Sequence, residues 1–190
     1  MSRLLAFDTA GPHCAAALLI DDAVTVRVDD MARGQAEHLM GMLAEVLNSQ
    51  GLSWADLDGI GVGIGPGNFT GIRISVAAAR GLALGLGKPA IGVSAFEAQV
   101  AGMPRPVTAC LPGPRDTHYL QHFTATGAEA PTQQDAGVGA VPVPSPAELV
   151  ARIAHIAAAR LGTPQPRPAP LYVRAADAAP AREPAPTLLP

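Results

Sequence analysis

Only three of the chain's 19 prolines, Pro12, Pro66 and Pro89, lie in its first 100 residues; the other sixteen crowd the last 90. Proline fixes φ and lacks an amide donor, so it interrupts helices and central strands. The first half is therefore free to be regular α/β, and the second must be rich in loops. From Thr163 the chain reads Thr-Pro-Gln-Pro-Arg-Pro-Ala-Pro, and a second Pro/Ala run follows residues 171–174. That spacing predicts an extended tail with polyproline II character and a mobile end. The 190 residues divide into a regular lobe, 1–102, a short second lobe, 103–162, and a proline-rich tail, 163–190. With 48% apolar residues the chain has enough material for a core.

Within the first lobe, apolar runs at 3–7 and 14–20, each ended by a carboxylate turn, and an alternating Val-Thr-Val-Arg-Val at 24–28 predict a three-stranded antiparallel meander. A helix follows at 36–50, with Leu39, Met40, Leu43, Val46 and Leu47 at helical spacing and Gly51 as its stop. Met42 lies off that stripe, and a face widened by Leu39, Met42 and Leu43 points to a partner as readily as to a buried helix. Ser53 to Asp56 reads as a capped turn. A strand at 60–64, a helix at 72–86 closed by Gly87, a strand at 90–93 and a helix at 94–101 complete the order β-β-β-α-β-α-β-α. A meander followed by crossovers is the ribonuclease-H-like plan of the actin, Hsp70 and sugar-kinase superfamily, a mixed α/β sheet. As fold analogy it carries no chemistry. In the second lobe, Ser145-Pro146-Ala147-Glu148 opens one clear helix, running to Leu161.

Between strand and helix lies Gly65-Pro66-Gly67-Asn68-Phe69-Thr70-Gly71. It lacks the lysine of a P-loop and the third glycine of the dinucleotide fingerprint. Two readings remain: a sharp turn with Thr70 capping the next helix, or an anion site at a helix start. Along that helix Ala77, Gly81 and Gly85 recur every four residues, a track that lets another helix approach closely. Interior glycines cost roughly 1 kcal/mol each against alanine. The track packs either on the chain's own sheet or on another subunit.

Read with Ile72 and Arg73, the loop resembles the G-P-G-S-F-T-G-[LVI]-R signature of the TsaB (YeaZ) family, the non-catalytic partners in forming N6-threonylcarbamoyladenosine at position 37 of tRNA. The segments Leu4 to Ala10, Glu37 to Met40, Leu52 to Ile60 and Pro89 to Phe96 are similar to the family's opening strand and turn, first-helix segment, G-L-x-x-x-D-L-D-x-I stretch and P-x-x-G-V-S-x-[LF]. Pro170-Leu171-Tyr172-Val173-Arg174 resembles its late P-x-Y-[LV]-R. Asn68 stands where the family has serine, and Pro112 where its second lobe has an aspartate. The resemblance implies an abbreviated second lobe, whose function is not carried over. It also implies a scaffold subunit without catalytic residues of its own. Its motif residues are Gly65, Pro66, Gly67, Asn68, Phe69, Thr70, Gly71 and Arg73. The partners it implies are a catalytic TsaD-like threonylcarbamoyltransferase and a small TsaE-like ATPase subunit, with a homodimer when the chain is alone. The family's dimers point to the helices carrying Leu39, Met42, Leu43, Ala77, Gly81 and Gly85 as the interface.

The family's catalytic paralogue binds metal through an H-x-x-x-H pair on a helix; here His38 is followed four residues on by Met42, so no metal site is expected. His118 and His122 share that spacing, but in a segment that reads as a strand, where it separates them by about 13 Å. Asp8, with Thr9, ends the first strand where ATP-binding superfamily members hold an aspartate near the phosphates; a carboxylate capping its own turn is the commoner role. The expected cofactor state is none for this chain alone, with ATP used by the complex. An actin-like ATPase or small kinase is the competing reading.

Cys14 and Cys110 sit in apolar runs, as buried reduced thiols of a cytoplasmic protein would. No run reaches about 18 apolar residues without a charge, so no membrane span is expected. The net charge is −3 and the first 100 residues hold no Lys/Arg cluster, so the chain alone should hold tRNA weakly and meet it through the complex.

Overall fold

The computed structural model describes residues 2–135 and 141–173. Three strands, β1 (Arg3–Asp8), β2 (His13–Ile20) and β3 (Ala23–Asp30), form the meander. Helix α1 (Gln35–Ser49), a single 3-10 turn at Trp54–Asp56, β4 (Gly59–Gly63), α2 (Phe69–Leu86), β5 (Ala90–Val93) and α3 (Ala95–Gln99) follow. The sheet order is β3-β2-β1-β4-β5. β1 is antiparallel to β2 and parallel to β4, and β4 is parallel to β5. This is the ribonuclease-H-like order that the element sequence predicts.

β1 and β2 are buried along nearly their whole length because the sheet is covered on both faces. On one face Leu5, Phe7, Ala16 and Leu18 meet Leu39, Met42, Leu43, Val46 and Leu47 of α1. The alternate residues Leu4, Ala6, Ala15, Ala17 and Leu19 meet the last helix, α4 (Pro146–Ala159), through Val150, Ile153, Ala154 and Ala157. Covering each face of the sheet removes apolar side chains from water at roughly 25 cal/mol per Å2. The boundary at 102 therefore divides strands and not helices: α4 lies beyond it in sequence and completes the core before it. α4 ends at Ala159, two residues short of the predicted Leu161, with Arg160 as its cap.

Helix α2 has the length and apolar content of a membrane span, with mean hydropathy 1.3 over its 18 residues, yet only 28% of it is buried. Its buried side is Gly71, Ile72, Ser75, Val76 and Ala79. Ile74, Ala78, Leu82, Ala83 and Leu86 are half-buried against the α1 side of the core, and Leu84 is 82% exposed.

A second, antiparallel sheet holds β6 (Val107–Pro112), β7 (His118–Phe123) and β8 (Thr132–Gln134) in that order. His118 and His122 both lie on β7, as their strand reading requires, and His122 Nδ1 is 2.9 Å from Thr108 Oγ1. Beside this sheet, Gln99 is fully buried, and its amide completes the outer edge of β6. Its Nε2 donates to the Cys110 carbonyl at 2.9 Å, and its Oε1 accepts from the Cys110 amide at 2.9 Å. A side-chain amide here supplies the donor and acceptor that a neighbouring strand would.

The predicted tail contains an ordered strap: Leu171 donates its amide to the Ile64 carbonyl at 2.8 Å, and Leu171 and Val173 pack beside Phe96 and Leu111. The remainder of the predicted tail, from Arg174, lies outside the described residues. Both cysteines are free and buried. Burial, with Asp29 and Asp8 nearby, pushes the Cys14 thiol up to about 11.

Across the sheet edge, Arg27 and Asp29 of β3 pair at 2.9 Å, and Asp29 Oδ2 lies 2.7 Å from His38 Nε2 of α1. The Arg27 hydrogen bond, with that from His38, holds the Asp29 carboxyl below the usual carboxylate range.

Two outcomes follow from these contacts. Gln99→Leu strands the Cys110 amide and carbonyl and should destabilise the fold by about 2 kcal/mol in urea unfolding. Asp29 binds its proton more weakly folded than unfolded, so its contribution is present above the ordinary carboxylate range and lost as pH falls through the lowered value. Asp29→Asn should therefore flatten the acid limb of a melting-temperature profile below about pH 4 and lower the plateau above it.

Candidate functional site

The motif loop is shaped by the approach of α2 to the turn after β1. The Asn68 amide donates to the Ala10 carbonyl at 2.7 Å, and Thr9 Oγ1 donates to the Gly71 carbonyl at 2.7 Å. A Cβ at Gly71 would lie 1.9 Å from the Thr9 carbonyl oxygen, and one at Gly67 2.7 Å from that of Ala10. The motif glycines thus allow two backbones to touch. Gly65 holds φ +97°, and its carbonyl accepts the Ala95 amide at 2.8 Å.

Thr70 is not the cap, because α2 begins at Phe69 and places Thr70 inside its first turn. The cap is Asn68, whose side chain accepts from the Gly71 amide at 2.9 Å. The serine of the motif it resembles is also a strong capping residue, so asparagine can serve the same purpose here.

Asp8 and Thr9 are both buried. Thr9 is engaged with Gly71, while Asp8 Oδ2 accepts the Ala10 amide at 3.0 Å and sits 3.4 Å from His13 Nε2. Asp8 therefore caps its own turn. With Pro66, Leu111 and Val143 it lines a cleft of about 440 Å3 beside the second sheet.

The residues expected at a partner interface separate into two sets. Leu39, Met42 and Leu43 are at most 1% exposed and belong to the core against β2; they cannot offer a docking surface. Met42 completes the buried stripe because it lies three residues after Leu39, one helical turn along the same face. Met40 is the outward methionine, 42% exposed. Ala77, Gly81 and Gly85 are exposed, and among the described residues nothing lies within 4 Å of a Cβ built on Gly81 or Gly85. The track therefore does not pack on the chain's own sheet. Beside it runs an apolar groove of about 490 Å3, lined by Met40, Trp54, Ala78, Gly81, Leu82, Gly85 and Leu86. Trp54 and the outward turn of Met40 are the parts of this face that sequence periodicity misses; only the phase of α1 on its sheet reveals them.

Arg73 and Tyr172, 99 residues apart, come together: Arg73 Nε donates to the Tyr172 hydroxyl at 2.8 Å, and the guanidinium lies 3.7 Å from the Phe69 ring centre. The loop motif and the late P-x-Y segment are thus one structural unit. Arg174, the last residue of that segment, lies outside the described residues.

Topology and site define a ribonuclease-H-like lobe whose glycine loop serves helix packing and whose α2 carries an open apolar face. The family model for "TsaD: tRNA N6-adenosine threonylcarbamoyltransferase" matches residues 29–141. The chain is 38% identical over 100 residues to the tRNA threonylcarbamoyladenosine biosynthesis protein TsaB of Escherichia coli, covering 53% of this chain and 43% of that protein. It is 35% identical over 115 residues to a tRNA N6-adenosine threonylcarbamoyltransferase of Maricaulis maris, covering 50% of this chain and 30% of that enzyme. The matched stretches span less than half the length of these relatives. The fold is also that of YeaZ from Pseudomonas aeruginosa, with TM-score 0.70 at 22% identity over 90% of this chain and 100% of that one. The chain belongs to the family of that TsaD model, and its similarity extends to the TsaB proteins.

If Asn68 acts as the cap, Asn68→Ala should cost about 1 kcal/mol in thermal or urea unfolding, and Asn68→Ser should restore most of it.

Proposed function

We propose that the chain is a non-catalytic scaffold subunit in the formation of N6-threonylcarbamoyladenosine at position 37 of tRNA. It docks through the exposed side of α2, Ala77, Gly81 and Gly85, and the groove beside Met40 and Trp54, onto a catalytic TsaD-like threonylcarbamoyltransferase. The observation that carries the reading is the open glycine track: two interior helix glycines whose missing side chains nothing in the described chain replaces. Glycine at such positions lowers helix stability, and close approach of a second helix offsets that cost. The family match supports the choice of partner.

In this reading the chain binds no cofactor alone, and the ATP used by the complex is handled with a small TsaE-like ATPase subunit. The same face closes a homodimer when the catalytic partner is absent. The assembly works in the cytoplasm, makes no use of a membrane, and meets tRNA as a complex.

The test is Gly81→Leu. Overpacking a close contact costs typically 1–3 kcal/mol, or roughly 5- to 150-fold in affinity. The variant should keep its circular dichroism and melting temperature, since position 81 faces open space, and should lose partner affinity by that factor in calorimetric titration. A folded variant that binds the catalytic subunit at full strength would place the docking face elsewhere.

A further inference from the structure

The sequence has no run of basic residues in its first 100 positions, but the fold builds a basic cluster. Arg73 and Arg80 are two helical turns apart and so share a face of α2. The ordered strap brings Arg167 to the same place, and the three line an open hollow of about 440 Å3 with Val76, Ala77 and Pro170. Among the described residues no carboxylate lines it. Among the described residues Arg80 and Arg167 make neither an ion pair nor a hydrogen bond, whereas Arg3, Arg27 and Arg160 each pair with an acid. On a chain of net charge −3, this is a local concentration of positive charge without a counter-charge among the described residues.

At the end of the hollow stands an aromatic shelf. Phe69 and Tyr172 are 39% and 38% exposed, and their ring centres are 5.0 Å apart at 31°. Arg73 lies over Phe69 and is held by the Tyr172 hydroxyl, which fixes its guanidinium at the hollow's edge. Guanidinium groups beside partly exposed aromatic rings suit unpaired nucleic acid, whose phosphates take the charge and whose bases have flat faces to stack. The hollow and the apolar groove flank opposite sides of the exposed ridge of α2, since Arg73, Val76 and Arg80 follow one helical stripe and Ala78, Leu82 and Leu86 another. A helix docked over the groove leaves the hollow beside the seam.

We propose that the hollow bounded by Arg73, Arg80 and Arg167 seats backbone phosphate from an unpaired stretch of the tRNA. The inference rests on the subunit reading above and names the surface through which this chain meets the nucleic acid.

The test uses the full chain assembled with its catalytic paralogue, a tRNA transcript as probe, and binding by fluorescence anisotropy over a series of salt concentrations. Partner affinity is measured separately by calorimetry. In the double variant Arg80→Gln/Arg167→Gln the side-chain stems remain and the charges go. It should bind tRNA about tenfold or more weakly at low salt, and the slope of log K against log salt should shrink by about 1.4, two contacts at about 0.7 each for an unpaired strand. Affinity for the catalytic subunit should be unchanged. Arg80→Lys/Arg167→Lys should recover most of the binding and the slope. Wild-type tRNA affinity and slope in the glutamine variant would overturn the proposal and leave the subunit reading standing. A comparable loss of affinity for the catalytic subunit would also overturn it, and would make the hollow a seat for a partner's carboxylates. If the wild-type chain forms no complex with the paralogue, the subunit reading fails and the RNA site fails with it.

Discussion

The arrangement depends on one close approach: the first turn of α2 lies against the backbone of Thr9 and Ala10. The side chain absent at Gly71 is what lets the Thr9 carbonyl come so near, and the Thr9 hydroxyl then binds the carbonyl of Gly71 itself. A strand-end turn and a helix start are thus joined by hydrogen bonds in both directions, with Asn68 donating to Ala10. This contact sets the rotation of α2 about its axis. Ile72, Ser75, Val76 and Ala79 are turned inward, so Arg73, Ala77, Gly81 and Leu84 must face out. The open apolar groove and the basic hollow are consequences of that rotation.

It also gives the glycines of this loop between strand and helix a use within the protein. In anion-binding loops the glycines bring backbone amides up to a ligand. In this chain the Asn68 and Gly71 amides are already engaged, one by the Ala10 carbonyl and the other by the capping Asn68 side chain. The same residue types at the same place in the fold make a joint within the protein.

The meander, both crossover helices and the histidine-bearing strand were legible in the sequence, because periodicity and turn residues report local structure directly. What was not legible depends on how elements meet. The phase of α1 on the sheet buries Met42 and exposes Met40, and one helix face offers no sign of which methionine will be inside. Thr70 and Asn68 are both capping residue types, and the choice between them falls to the backbone at Gly71. Gln99 reads as an ordinary helix-end polar residue until β6 arrives with an unpaired edge. Arg167 lies 87 positions beyond Arg80 and joins it only because Leu171 pins the strap to Ile64.

The return of α4 to the first sheet has a consequence for how such a chain leaves the ribosome. All five strands of the main sheet are synthesised by residue 93, together with α1 and α2. At that point one face of the sheet can be covered, while Leu4, Ala6, Ala15, Ala17 and Leu19 still lack the helix that shields them. Roughly fifty more residues, mostly loop and a small second sheet, must emerge before α4 supplies it. The nascent polypeptide therefore passes through a stage with one half of its core open to water, a surface of the kind that chaperones hold and that aggregation exploits.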